Sequence, residues 1–231
     1  MIDHLKKLES LRGESAHPPY FLQKLQEVKR WQHARLARTY RDLAADSRYA
    51  PAVAFFLDEL YGAGDSIEHS ALRDRELIRM YPTIKRVLPK FAFDAVEKAL
   101  ELDVLAEEFD QALAACIGEG KVNEANYLAA FRAAGRRDDR LRQVQLMREV
   151  GRSLDIVVKK PLIYTTLKML RGPSKLAGLA AMQQFLEAGF TAFRHMNGAD
   201  YFLETIASRE AMLINRIFDC VADPLAIIDE W

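Results

Sequence analysis

The segment Ala50-Pro-Ala-Val-Ala-Phe-Phe-Leu-Asp-Glu-Leu-Tyr-Gly62 has the pattern of a short helix that is buried on two sides. Pro51 suits the first turn of a helix, and Gly62 suits its end. At about 100° per residue, Phe55 points away from a face of five apolar residues. These five are Val53, Phe56, Leu57, Leu60 and Tyr61. Because a helix that is apolar on two sides is normally packed on two sides, the segment predicts a fold in which other helices cover this one.

Two carboxylates, Asp58 and Glu59, lie between the two apolar faces of this central helix. At least one of them should therefore be half-buried, and a half-buried charge requires a partner or a shifted pKa. The nearest arginines belong to the next predicted helix, within residues 73–79. We expect Asp58 or Glu59 to form an ion pair with one of these arginines, or with Arg194 or Arg209 later in the chain.

Apolar residues recur at helical spacing along the rest of the chain, and no stretch alternates for long enough to be a strand. Asp138 or Asp139 should cap the longest helix. Pro161 should interrupt that helix, because proline lacks an N–H group and clashes with the preceding turn. The expected helices cover residues 2–11, 19–45, 51–61, 67–80, 89–117, 122–134, 139–171, 174–196 and 199–221.

Short loops and the absence of a linker predict a single all-α domain over residues 1–231. The expected architecture is a helical bundle of about eight to ten helices with partly orthogonal packing, and a globin-like arrangement agrees with the number of helices. Residues 1–18 are expected to form a peripheral N-terminal helix and loop, and residues 222–231 a C-terminal tail.

The composition indicates a soluble, cytoplasmic protein that binds neither nucleic acid nor membranes. The chain has 33 Lys and Arg and 33 Asp and Glu in 231 residues, so no net charge attracts it to an anionic surface. No apolar run approaches the roughly 20 residues of a membrane span, and the N-terminus lacks the apolar core of a signal peptide. The two cysteines, Cys116 and Cys220, are too few for a disulfide framework or a zinc site. We interpret them as reduced core residues.

Motifs for metals, haem and nucleophilic catalysis are weak. The one Glu-x-x-His, Glu14 to His17, lies in a loop and has no second copy, so a di-iron site is not expected. The five histidines occupy positions typical of surface or hydrogen-bonded side chains rather than of haem ligands. No Gly-x-Ser-x-Gly is present, and the Gly-x-Gly sequences at 62–64 and 118–120 do not follow a strand. The arginine-rich segment 132–142 favours local ion pairs over a phosphate site. The sequence thus predicts no metal or cofactor, names no catalytic residue, and leaves open whether the protein is an enzyme.

Further charged residues fall on the apolar faces of the last two helices. Arg209 and Glu210 occupy the core phase of the last helix, and Arg194 flanks the apolar stripe of the helix before it. Together with the groups near the central helix, they could form a buried ion-pair network that fixes helix register. Alternatively, they could line a pocket for a small polar ligand. The candidate ligand-binding residues are Asp58, Glu59, Arg73, Arg75, Arg194, Arg209 and Glu210.

Four stretches distinguish the chain: FFLDELYG at 55–62, RDR at 73–75, GFTAFR at 189–194, and GADYFLETI at 198–206 followed by Arg209 and Glu210. In these stretches the sequence resembles a family of uncharacterised bacterial proteins, and the similarity extends over roughly residues 45–220. The resemblance implies a bacterial, cytoplasmic, all-helical protein and transfers no catalytic residue.

These observations favour a binding role, either for a partner protein or for a small ligand held in an interhelical pocket. The alternative is an enzyme or a haem-type sensor whose site is not evident from sequence spacing. A homodimer is compatible with both interpretations.

Overall fold

A computed structural model describes residues 1–13, 17–60, 65–87, 90–169 and 171–231. Within these ranges the regular structure is helical and contains no strand, which confirms the predicted all-α bundle. Helices α1 to α6 are Ile2–Arg12, Pro19–Thr39, Arg41–Ala45, Ala50–Phe55, Asp65–Val87 and Lys90–Ile117. Helices α7 to α12 are Glu124–Ala134, Arg137–Val158, Pro161–Met169, Arg171–Leu176, Ala180–Met196 and Asp200–Phe218. A π-helical turn, Phe56–Leu60, continues α4, and a 3-10 helix, Ala226–Glu230, follows α12.

Three apolar clusters form the core. The first lies where α3, α4, α11 and α12 meet, and it contains the rings of Tyr40, Phe190 and Phe202. The second joins α2, α6 and α7 to the C-terminal half of α12 and includes Leu113. The third lies between α1, α5 and α6. None of the described helices combines the length and the apolar character that crossing a bilayer requires.

Helix α1 belongs to the core, although we expected residues 1–18 to be peripheral. Leu5 and Leu8 are fully buried and pack in one cluster with Leu100 and Val104 of α6. Burying two leucine side chains is worth roughly 3–6 kcal/mol, so α1 contributes substantially to stability. A helix of this length cannot be placed inside or outside the bundle from its own apolar stripe alone.

Two of the predicted helices are divided. The helix expected over 19–45 breaks at Tyr40, whose backbone angles of φ −113° and ψ 22° lie outside the helical region. The helix expected over 174–196 breaks because Gly178 adopts a φ of +67°, a conformation that suits glycine and ends α10. The two breaks add the short segments α3 and α10, while nine of the described α-helices have nine or more residues, in agreement with the eight to ten expected.

Two prolines lie inside helices, contrary to the predicted boundaries. Helix α5 continues through Pro82 to Val87, and Pro82 faces solvent, where water can bond the carbonyl that it leaves free. Pro173 falls in the first turn of α10, where an N–H group would have no helical partner. In contrast, Pro161 begins α9 after α8 has ended at Val158, which confirms the predicted interruption.

Helix α8 begins at Arg137, two or three residues earlier than a cap at Asp138 or Asp139 would place it. Arg136 precedes it in the left-handed conformation, with φ +64°. Both aspartates therefore lie in the first turn of α8, where negative charge suits the helix dipole.

Cys116 and Cys220 are free thiols, as predicted, but both are exposed instead of lying in the core. The buried stripe of α6 passes through Phe109 and Leu113, which turns Cys116 towards solvent. The helix end predicted at Gly62, the Gly-x-Gly sequence at 62–64 and the loop residue Glu14 lie outside the described residues.

Helices α8 and α12 pack closely at Gly151. A Cβ atom on Gly151 would lie 2.3 Å from Cδ2 of Leu203, which is itself buried. Gly172 is the matched control, because it is also helical but has open space around its Cβ position. We expect Gly151→Ala to be less stable than Gly172→Ala by about 1–3 kcal/mol, the usual cost of overpacking. Denaturant unfolding of the two variants measures this difference, and equal midpoints would contradict the close packing.

Candidate functional site

The central helix is packed on two sides, as the sequence predicts. Phe56 is buried and meets the ring of Tyr40 edge-on, with centroids 6.1 Å apart. Phe55 points the other way and contacts Phe185 of α11, with centroids 5.4 Å apart. A Cβ atom on Gly189 would lie 2.9 Å from the Phe55 ring, so this glycine allows α11 to approach closely. Phe55 and Phe56, which point to opposite sides, are the last residue of α4 and the first residue of the π-helical turn. Such turns are frequent at functional sites.

An open depression of about 470 Å³ lies between the π-helical turn and α11, and we call it the acidic depression. Three carboxylates line it: Asp58, Glu59 and Glu187. Glu59 accepts a hydrogen bond of 3.1 Å from Arg73, which is the ion pair predicted for this helix. Glu187 is held by Arg171, whose Nε lies 2.7 Å from both carboxylate oxygens. Asp58 is exposed and forms no hydrogen bond or ion pair with a described residue, so its charge is available to a ligand.

A second open depression, of about 530 Å³, lies between α9 and the C-terminal half of α11, and we call it the basic depression. At its centre, the ring of Tyr164 stacks on Phe190, with centroids 5.2 Å apart. Lys168 Nζ lies 4.3 Å and Arg194 Cζ 4.7 Å from the centroid of the Tyr164 ring. Hydrogen bonding by Lys168 lowers the pKa of the Tyr164 hydroxyl, and a hydrogen bond with Thr191 acts in the same direction. Neither cation forms an ion pair with a described residue.

Thr191 joins the two depressions. It lines the acidic depression, and it hydrogen bonds with Tyr164 of the basic depression. Glu187, Thr191 and Arg194 follow one another at helical spacing, so they face one side of α11. The rise along the helix from 187 to 194 is about 10 Å. We call the combined surface the α11 groove. Among the residues that the structure describes, one of its ends carries a carboxylate without an ion pair, Asp58, and the other carries two cations without an ion pair, Lys168 and Arg194.

Helix α5 holds the start of α11. The buried carboxylate of Glu76 accepts a hydrogen bond of 2.8 Å from the backbone N–H of Met182, in the first turn of α11, where the dipole favours negative charge. Arg79 donates to the carbonyl of Gly178 at 2.6 Å. Because Arg73 also belongs to α5, one helix positions both Glu59 and the beginning of α11.

Arg209 and Glu210 are largely buried, with side chains 12% and 18% exposed, but they have other partners than those considered from the sequence. Arg209 donates to both carboxylate oxygens of Asp42, each at 2.7 Å. Glu210 pairs with Arg35 and accepts a hydrogen bond of 2.7 Å from the Tyr40 hydroxyl. The seven candidate residues therefore do not form one network. Asp58, Glu59 and Arg194 line the α11 groove, Arg73 supports it, and Arg75 is exposed and lines neither depression.

A buried ion cluster, which the sequence reasoning missed, lies between α1, α2, α5 and α6. Arg12 donates to Asp74 at 2.7 Å and to Glu107 at 3.1 Å. Lys29 reaches the same oxygen of Glu107 at 2.9 Å and lies 3.8 Å from Asp110. Burial alone would raise the pKa of Glu107, but the charges of Lys29 and Arg12 outweigh it and hold that pKa below its ordinary value. For Asp110, burial prevails and raises the pKa to about 6.

A sequence signal for this cluster was present in two distant helices. One face of α2 carries basic and amide side chains at helical spacing, and one face of α6 carries acidic side chains at helical spacing. These residues are Lys29, Gln32 and Arg35 in α2, and Asp103, Glu107 and Asp110 in α6. Apolar residues were expected at these positions. That the two faces meet is evident only from the packing of α2 against α6, which brings Lys29 to Glu107 and Asp110.

The arginine-rich segment forms local ion pairs, as predicted. Arg136 pairs with Glu108 at 2.7 Å and with Asp139 at 2.8 Å. Arg137 pairs with Asp219 at 2.8 Å. Among the residues that the structure describes, no group of three or more His, Cys, Asp or Glu side chains is arranged to hold a metal ion.

Comparison with known proteins gives one match. Residues 11–224 match the family model described as a domain of unknown function, DUF8198. No curated protein and no solved structure matches the chain. Because the family model covers most of the sequence, the chain belongs to the DUF8198 family.

Proposed function

We propose that the protein binds a small ligand in the α11 groove, and that Asp58, Lys168 and Arg194 recognise the charged groups of that ligand. The observation that carries this proposal is the separation of unpaired charge along one side of α11 among the described residues. At the acidic end, arginines neutralise Glu59 and Glu187, so a single negative charge remains. At the basic end, two cations share one tyrosine ring without an acidic partner among the described residues. This arrangement complements a ligand that is cationic at one end and anionic at the other.

The dimensions of the groove favour a small molecule over a partner protein. The two depressions measure about 470 and 530 Å³, within the range of small-molecule sites. Along α11, Glu187 of the acidic depression and Arg194 of the basic depression are separated by an axial rise of about 10 Å. The lining of the acidic depression includes the apolar atoms of Phe55, Ala188 and Ala192. A hydrocarbon linker between the charged groups of the ligand would therefore meet apolar atoms. The proposal also places the protein in the bacterial cytoplasm, which its neutral charge and its resemblance to bacterial helical proteins support.

Isothermal titration calorimetry with 8-aminooctanoate tests this proposal, because it carries an amine at one end and a carboxylate at the other and, when extended, is about as long as the helical rise of about 10 Å from Glu187 to Arg194. Octylamine and octanoate each carry only one of the two charges. We expect 8-aminooctanoate to bind about fivefold more tightly than either, since each exposed charge pair contributes up to about 1 kcal/mol. Asp58→Asn should remove the advantage over octanoate.

The matched control is Asp138→Asn, which neutralises an exposed aspartate of α8 outside the groove. It should leave the affinity for 8-aminooctanoate unchanged. Equal affinities for the three probes, or an Asp58→Asn variant that binds like the wild type, would contradict recognition of two charged ends.

A further inference from the structure

We infer that the anionic group bound in the basic depression is a phosphoryl group of a phosphate monoester, and not a carboxylate. This inference rests on the proposed function of the α11 groove and specifies the ligand class. Its basis is the positive charge of Lys168 and Arg194 beside Tyr164, with which no acidic side chain among the described residues forms an ion pair.

The charge balance favours a dianion. Lys168 and Arg194 both lie within 5 Å of the centroid of the Tyr164 ring, so their positive charges repel each other. A carboxylate brings one negative charge and would neutralise one of them. A phosphate monoester carries a charge of about −1.5 to −2 at pH 7, which balances both. The single free carboxylate at the other end, Asp58, correspondingly requires one amine.

The donors also suit a phosphoryl group. Lys168 offers N–H groups beyond the one that it shares with Tyr164, Arg194 offers a planar fork, and the hydroxyl of Tyr164 lines the same depression. These donors come from two helices and surround an open volume, which matches three phosphoryl oxygens better than the two coplanar oxygens of a carboxylate.

The centre of the basic depression is held in place before any ligand arrives. Tyr164 stacks on Phe190 at an interplanar angle of 13°, and Phe190 is part of the buried core. The one nearby carboxylate, Glu187, is occupied by Arg171 and by the Gln183 amide at 2.7 Å, so it repels an incoming anion less than a free carboxylate would. A preformed site of this kind loses little freedom when it binds. The ligand class that follows is a soluble phosphate monoester with an amine at its other end.

The experiment compares 6-aminohexyl phosphate with 8-aminooctanoate by isothermal titration calorimetry at pH 7.5. The two probes have equal numbers of bonds between the amine and the anionic centre, so they differ in the anionic group alone. We expect the phosphate to bind about tenfold more tightly, the effect of one additional charge-assisted pair. Lys168→Gln and Arg194→Gln should each reduce that ratio towards one. Tyr164→Phe, which keeps the ring, should reduce it in part.

The matched control is Lys175→Gln, which removes an exposed lysine of α10 that does not line the basic depression. It should keep the tenfold ratio. The unfolding midpoint of each variant, measured in parallel, should equal that of the wild type, because the replaced cations are exposed.

Hexyl phosphate, which lacks the amine, separates this inference from the proposed function. If it binds as tightly as 6-aminohexyl phosphate and Asp58→Asn has no effect, the phosphoryl subsite stands and the two-ended ligand is overturned. If 8-aminooctanoate binds as tightly as 6-aminohexyl phosphate, the groove stands and the phosphoryl preference is overturned. If no probe binds with a Kd below about 10 mM, both are overturned. Sedimentation with phosphatidic acid vesicles, without binding of soluble phosphates, would overturn the soluble ligand in favour of a lipid headgroup.

Discussion

Replacing Arg12 with methionine is expected to lower the free energy of unfolding by about 3–5 kcal/mol, the range for breaking a buried ion pair on one side. The Arg12 side chain is only 10% exposed and faces three carboxylates. Two of them, Asp74 and Glu107, are 11% and 3% exposed. Without Arg12, Asp74 would lose the guanidinium that it accepts a hydrogen bond from, and Glu107 would keep only Lys29 as a cationic partner. Methionine retains most of the aliphatic stem, so the loss reports the missing guanidinium and not a cavity.

The matched control for this variant is Lys7→Met in the same helix. Lys7 pairs with Glu108, but its side chain is 50% exposed, so its loss should cost no more than about 1 kcal/mol. Denaturant unfolding at pH 7 measures both variants. If Arg12→Met loses less than about 1 kcal/mol, the ion cluster is not buried as described.

The effect of Arg12→Met should also depend on pH. In the wild type, Lys29 and Arg12 outweigh burial and hold the pKa of Glu107 below its ordinary value. A carboxylate with a lowered pKa stabilises the folded state above its unfolded pKa, and this contribution is lost as the pH falls through the folded pKa. The difference between the wild type and Arg12→Met should therefore shrink below about pH 4.

Replacing Asp110 with asparagine is expected to have the opposite effect and to stabilise the protein at pH 8. Burial raises the pKa of Asp110 from 3.8 to about 6. Because the folded pKa lies above the unfolded one, stability is lost as the pH rises from about 4 through about 6, and the full loss is present at pH 8. The difference between these pKa values is equivalent to about 3 kcal/mol, which sets the upper limit of the gain. Lys29 keeps Glu107 as its closer partner.

Unfolding between pH 4 and pH 8 checks this expectation. Asp110→Asn should match the wild type near pH 4, where the carboxyl group of Asp110 is already protonated, and should exceed it increasingly above about pH 6. Asp138→Asn makes the same chemical change on the surface of α8, where it removes only a favourable interaction with the helix dipole. It should cost up to about 1 kcal/mol at pH 8 and should not stabilise the protein. A destabilised Asp110→Asn at pH 8 would show that the ionised carboxylate and Lys29 stabilise the fold together.

Interactions between neighbouring segments were predictable from the sequence, whereas those between distant segments were not. The pair Glu59 and Arg73 was expected, because the two residues are 14 positions apart on consecutive helices. The partners of Arg209 and Glu210 lie 167 and 175 positions earlier, and nothing in the local pattern names them.

The basic depression illustrates the same limit on local patterns. Tyr164 and Lys168 meet Arg194 because the chain breaks at Gly178 and returns α11 against α9. The apolar period alone predicts one continuous helix over 174–196, whereas the break at Gly178 divides this stretch between α10 and α11. The left-handed conformation of Gly178 therefore helps to position α11 beside α9.

The buried cap that Glu76 places on α11 has a consequence for how ligand affinity can be lost. Local opening of the first turn of α11 has its own free energy. Glu76 of α5 raises that free energy through its hydrogen bond with Met182, although no ligand in the groove would touch Glu76. Any ligand that needs Glu187 and Thr191 in place must also hold this turn closed. A screen for variants with weakened binding should therefore recover Glu76, and such a variant would regain affinity on cooling or in a stabilising osmolyte, whereas Asp58→Asn would not.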